Sequence, residues 1–261
     1  MYSAEDIITT DKFLKAFPDV YHKTDTIVEK CPIIWRGMTV FPPKNNEQLL
    51  ISGHSDYGIT DELVNYYTPK IWYTVNKQTS RNNVHSIPLG ITNDSWDSFF
   101  HSVYGNLRCM TQVMSESKDD KNLVYMNFNI RTFPMEREPV FNMFKNNNWV
   151  TVGNIENSIP GRTRFLREIR NHTFVLCPRG NGVDTHRMWE TLYMGSIPIV
   201  KHDIAMDDFS DLPICFINDW TEVTPEFLET EKERIQSGSW NMSKLKMSYW
   251  INTIQSNNIY T

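Results

Sequence analysis

The sequence predicts an α/β protein built on parallel sheet, and three observations carry that expectation. From residue 123 onward, strand-like and helix-like segments alternate: strand 123–128, helix 136–145, strand 149–152, helix 162–170, strand 174–176, helix 185–194 and strand 197–200. Such alternation places consecutive strands side by side and parallel, with helices crossing between them. In the first half, the runs 32–35, 49–52, 71–75 and 84–89 are short and β-rich, bounded by Gly, Pro, Asn or Asp, as buried strands are. No internal repeat or low-complexity tract competes with this reading.

A chain of 261 residues accommodates two domains of roughly 110–130 residues each. The stretch 114–121, MSESKDDK, is polar and charged and precedes the strong strand at 123, so it marks the expected junction. The expected organisation is a domain over 1–117, a domain over 118–240 and a terminal helix in 241–261. Leu245, Tyr249, Trp250 and Ile254 stand at helical spacing there, in a helix that crosses back to the first domain or packs on its own.

The 26 Lys and Arg against 31 Asp and Glu leave a net charge of -5, which offers no field for a polyanion and argues against nucleic acid. The N-terminal MYSAEDIITTDKFLKAF lacks the basic start and apolar run of a secretory leader. No segment reaches the roughly 18 apolar residues of a membrane span, and a soluble cytoplasmic protein is expected. Cys31, Cys109, Cys177 and Cys215 form no C-x-x-C pair, which suggests reduced thiols and neither a zinc site nor a redox motif.

The segment 174–200, FVLCPRGNGVDTHRMWETLYMGSIPIV, carries the chemistry. An apolar strand meets a loop in which Gly180 and Gly182 permit close backbone approach or positive φ. Asp184 or Thr185 is placed to cap the following helix, whose free N–H groups favour an anion. Arg187 and Glu190, three residues apart, leave one face of that helix. A guanidinium suits diphosphate oxygens, and a carboxylate can accept from the two hydroxyls of a ribose. Taken alone, an i, i+3 Arg–Glu pair is more often a surface ion pair. The loop is neither a P-loop nor G-x-G-x-x-G. Gly195 is placed to end the helix and Pro198 to open a strand.

Cys177-Pro178-Arg179-Gly180, Arg187-Met188-Trp189-Glu190 and Gly195-Ser196-Ile197-Pro198 resemble, in order, the signature of exostosin-like glycosyltransferases. Weaker similarity covers 72–91 and 123–137. The length and composition resemble the compact, xylosyltransferase-like members found in large algal viruses, which would place the protein in a host cytoplasm. The resemblance implies a GT-B fold, two Rossmann-like domains with a cleft between them, the donor bound by the second and the acceptor by the first. It implies inversion at the anomeric carbon and no metal held by Asp-x-Asp. Asp119-Asp120 and Asp207-Asp208 are not of that pattern.

On this basis the expected donor site comprises Asn129, Arg131, Arg179, Gly180, Asn181, Gly182, Thr185, Arg187 and Glu190. Metal-free departure of a diphosphate needs fixed positive groups and helix-terminal N–H donors. Inverting transfer also needs a base. The run 49–60, LLISGHSDYGIT, ends a strand in a loop that carries Asp56, the first candidate, and His54, the second. For Asp56 an Asx-turn that only shapes the loop is an equal reading. Tyr57 is the candidate to stack on the acceptor sugar, and Trp35, Trp72 and Trp96 divide between an acceptor groove and core. His186 is read as structural, although by the resemblance its position could reach the donor; Trp189 and Leu192 are assigned to packing.

The expected activity is transfer of a sugar, UDP-linked and with xylose as first choice, to a glycan hydroxyl. No cofactor is expected, the nucleotide sugar being a substrate. The alternative is a glycan- or nucleotide-binding protein of the same fold without catalysis.

Overall fold

The computed structural model describes residues 2–30, 49–95, 98–119 and 121–259. The expected strand 32–35, Trp35, Trp96 and Cys31 lie outside the described residues.

The first half holds α1 (Thr10–Ala16), β1 (Tyr21–Lys23), α2 (Thr24–Lys30), β2 (Leu49–Gly53), β3 (Ile59–Thr60), α3 (Asp61–Tyr67), β4 (Ile71–Thr74), β5 (Lys77–Gln78), β6 (Val84–Ser86), α4 (Phe99–Tyr104) and α5 (Leu107–Ser115). β1, β2, β4 and β6 form a parallel sheet in that order, with Leu50 opposite Trp72 and Trp72 opposite Val84. β2 is buried along its whole length, which explains its continuous apolar run LLISG in place of alternation. Trp72 is buried in this sheet's core and its Nε1 donates to Ser52 Oγ, so it packs and lines no groove. The short pair β3 and β5 is also parallel.

The second half continues with β7 (Asn122–Met126), α6 (Pro134–Phe144), β8 (Val150–Val152), α7 (Ile159–Arg170), β9 (His172–Leu176), α8 (His186–Tyr193), β10 (Ile197–Lys201), β11 (Cys215–Ile217), α9 (Pro225–Ser237) and α10 (Met247–Ile259). Its five strands are all parallel, in the order β8-β7-β9-β10-β11. Counted within the sheet this is 2-1-3-4-5, a doubly wound order of the Rossmann-like α/β class. The order reverses between β7 and β9, so a crevice opens beyond their carboxyl ends.

The stretch around 114 and the terminal helix take the following places. The polar stretch 114–121 begins inside α5, where Met110, Val113 and Met114 are buried. At helical spacing these three make an apolar face, of which only Met114 falls within the polar stretch. α5 packs against α7, and one continuous core joins Ile51, Tyr73, Met110 and Val113 to Leu166, Ile169, Val175 and Trp189. At the other end, α10 returns to the first half. Met247 N donates to Asp6 O at 2.8 Å, and Asn257 donates to the Tyr73 hydroxyl.

Gly195 ends α8 at φ +75 and Gly90 follows β6 at φ +68, the left-handed region that penalises any Cβ. A Cβ at Gly195 meets nothing within 4 Å, whereas one at Gly90 stands 2.2 Å from Ile8 O. Gly195→Ala should therefore cost only the conformational term, about 1–2 kcal/mol, and Gly90→Ala distinctly more. Urea unfolding midpoints of the two variants check the order.

Candidate functional site

The carboxyl ends of both sheets meet across a cleft of about 650 Å3. β2, β4 and β6 deliver His54, Asp56, Asn76 and Leu89 from one side. β7 and β9 deliver Asn127, Asn129 and the loop 180–185 from the other. This is the topological switch point of the five-stranded sheet, where open α/β sheets bind ligands. Two residues on the first side, His54 (φ 66) and Asn76 (φ 58), hold left-handed backbone without being glycine. Backbone strain of this kind is characteristic of functional sites.

The glycine loop is fixed from the first half. Gly182 N donates to Asp56 Oδ1 at 3.1 Å, and Asp184 N donates to Asn76 Oδ1 at 2.9 Å. Both Asp184 oxygens also accept, from Leu89 N and from Trp189 Nε1, each at 2.7 Å. Burial pushes the Asp184 carboxyl up to about 7, against those donors. Neither Gly180 nor Gly182 has positive φ. Gly182 is required for close approach, since a Cβ there would stand 2.7 Å from Asn76 Nδ2. Thr185 takes the N-cap position of α8 with extended backbone, and its side chain makes no capping bond.

Arg187 and Glu190 both line the cleft. Glu190 is only 4% exposed and is paired with Arg162 of α7, itself 1% exposed, at 2.7 Å. Arg187 lies over the Phe165 ring at 5.6 Å, with Arg162 over the same ring at 5.4 Å. The Arg187 Nε is buried without a partner among the described residues. A third guanidinium, Arg137 of α6, donates to the carbonyls of Arg179 (2.8 Å) and Asn129 (2.9 Å), bracing the loops after β9 and β7. Burial, and then the charge of Arg187, lower its pKa to about 10, which still leaves it charged at neutral pH. Buried, adjacent guanidinium groups with an unmet donor suit an anionic ligand.

Of the expected residues, Asp56, His54, Asn129, Gly180, Asn181, Gly182, Thr185, Arg187 and Glu190 are brought together in the cleft. Tyr57, Arg131 and Arg179 are not among its lining residues. Tyr57 is 56% exposed beside the loop. Arg131 is exposed on the turn after β7. Arg179 turns back on Gly180 O and Asn181 O and stacks on Phe133 at 4.8 Å, so its charge shapes the loop. His54 is held on both ring nitrogens. Nδ1 lies 3.2 Å from the Tyr21 hydroxyl; Nε2 lies 2.8 Å from Asn93 Nδ2 and 3.2 Å from both Thr10 Oγ1 and Asp11 Oδ1. Burial lowers its pKa, which Asp11 opposes.

Arg137, Arg162 and Asn76 join the cleft without having been expected there, and His186, read chiefly as structural, lines it too. The two arginines sit on helices whose sequences look like ordinary amphipathic surface. Among the described residues no three His, Cys, Asp or Glu side chains gather to hold a metal ion. Cys109, Cys177 and Cys215 are free and buried, and no described helix is long and apolar enough to cross a membrane. No family model matches the sequence, and no curated protein matches it.

Removing one member of a buried ion pair strands the other charge, at a cost of about 3–5 kcal/mol. Glu190→Gln and Arg162→Met should each lower stability by that order in guanidinium unfolding. The double variant should recover a large part of it, because no buried charge is left unpaired.

Proposed function

We propose that the chain is an inverting, metal-independent glycosyltransferase of the GT-B type, exostosin-like and compact. It moves a sugar from a nucleotide donor, UDP-linked with xylose as first choice, to a hydroxyl of an oligosaccharide or glycoprotein glycan. In this reading the parts divide near residue 117, the first taking the acceptor and the second the donor. The observation that carries it is the position of Arg187, at the switch-point cleft with a buried donor that no described residue satisfies.

The donor's diphosphate lies against Arg187 and the N–H groups of the loop 180–182. These are fixed charge and dipoles that stabilise the negative charge growing on the departing group without reorganising. Arg137 holds the loop and adds to the positive potential. Glu190, oriented by Arg162, presents an acceptor to the hydroxyls of the nucleotide sugar. The acceptor glycan enters from the side of His54, Asp56 and Asn76. Asp56 retains its second carboxylate oxygen after holding Gly182; His54 has both ring nitrogens occupied.

Arg187→Ala should weaken UDP binding by roughly 10- to 100-fold, the span for one lost charge-assisted hydrogen bond, as read by calorimetry. Equal affinity in the two proteins would reject the donor site. Product formation from a panel of UDP- and GDP-sugars with oligosaccharide acceptors tests turnover. Binding without product in any combination would favour the non-catalytic alternative.

A further inference from the structure

The cleft contains an imidazole whose hydrogen bonding fixes its tautomer. His186 is the first residue of α8, immediately before Arg187, and its ring lines the cleft. Its Nδ1 is 2.8 Å from the carbonyl oxygen of Gly90. A carbonyl only accepts, so Nδ1 carries the proton and Nε2 carries the lone pair. No described residue bonds Nε2. Gly90 is fixed in turn by its left-handed backbone and by close approach to Ile8, so the direction of the carbonyl is set by the fold.

The competing groups stand differently. Asp56 is exposed and gives one oxygen to Gly182 N–H, and His54 is bonded on both nitrogens. His186 also stands where the halves meet, since the charges that act on it are Glu190 and Arg162 of the second half and Asp56 of the first.

We infer that His186 is the base of the transfer, an assignment that rests on the function proposed above. Its Nε2 takes the proton of the acceptor hydroxyl as that oxygen bonds to the anomeric carbon. The bond from that carbon to the diphosphate oxygen breaks, and its electron pair leaves with the diphosphate. The charges of Glu190 and Asp56 favour the imidazolium that forms, with Arg162 opposing, and it later gives its proton to water. Burial keeps the resting ring neutral by holding its pKa below the ordinary histidine value; the Gly90 bond and the two carboxylates offset part of that effect. A neutral ring with a free lone pair is the form a base needs at neutral pH.

The experiment compares wild type with His186→Gln, whose amide can still donate to Gly90 O, and with Asp56→Asn. UDP-sugar affinity is read by calorimetry and turnover against pH. His186→Gln should keep donor affinity within about threefold and lose about 100-fold or more in kcat, the usual contribution of a general base. Wild-type kcat/KM should rise with pH through an ionisation below about 6.5, the unperturbed histidine value, and that limb should vanish in the variant. Exogenous imidazole should restore turnover to His186→Ala, which tests the assignment if the glutamine variant folds poorly. Retained kcat in His186→Gln, a wild-type profile without the limb, or loss of the limb in Asp56→Asn alone would each overturn the assignment while leaving the glycosyltransferase reading intact. A wild-type protein that binds no nucleotide sugar would overturn both.

Discussion

The arrangement of the cleft depends on one carboxylate. Asp184 accepts from a backbone N–H of the first half, Leu89, and from the indole of Trp189 inside α8, while its own N–H is held by Asn76. A single side chain thus sets the distance between the first sheet and the start of α8. Desolvation raises its pKa to about 7, so the carboxylate stays in place only because all its contacts are donors. Were the loop displaced, the buried acid and the Trp189 indole would both lose partners, and each unmet group costs about 1–3 kcal/mol.

With α8 so held, its polar face falls on the cleft and its apolar face on the core. Trp189 and Leu192 are buried, and Arg187 and Glu190 are left to the opening. Glu190 is buried there, and its partner is Arg162. An ion pair this deeply buried seldom adds stability over an apolar pair of the same volume, so its presence points to orientation. Phe165, with a guanidinium against it from Arg162 and another from Arg187, limits both to a narrow set of rotamers. Crowding of Arg137 and Arg187, together with a buried Nε that no described residue satisfies, is a local cost that a bound anion would offset.

The sequence showed the parallel α/β pattern of the second half because fully buried strands appear as unbroken apolar runs. The helix of Arg187 and Glu190 was legible because Gly195 and Pro198 punctuate its end. Other elements were not. β1 is Tyr-His-Lys and β5 is Lys-Gln, too polar and too short to differ from loop, and they are strands only because a neighbour supplies the ladder. α5 overlaps MSESKDDK only at Met114 and Ser115, so the polar stretch marks the end of a helix whose buried face, Met110, Val113 and Met114, lies mostly before it. The partner of Glu190 was illegible for a different reason. Local spacing paired it with Arg187, but a buried charge is satisfied by whichever cation tertiary packing brings, and that was Arg162. Left-handed Asn76 likewise has no signal beyond the tolerance of asparagine for that backbone.

Several groups of the cleft take their positions from the other half. Asp56 is held by Gly182, the Asp184 N–H by Asn76, and the tautomer of His186 by Gly90. The cleft is therefore not two half-sites facing one another, each competent alone. Strand ends of a parallel sheet project backbone groups in one direction, and opposing two such ends lets every loop find its partners across the gap. The core continues beneath those bonds, from Tyr73 and Ile87 to Val183 and Trp189, and the Asn76–Asp184 bond is itself buried. Burial of that core is what makes cross-cleft hydrogen bonds strong enough to fix side chains in advance of any ligand. A substitution at Gly90 or Asn76 should thus be felt at α8, although neither residue carries a charge.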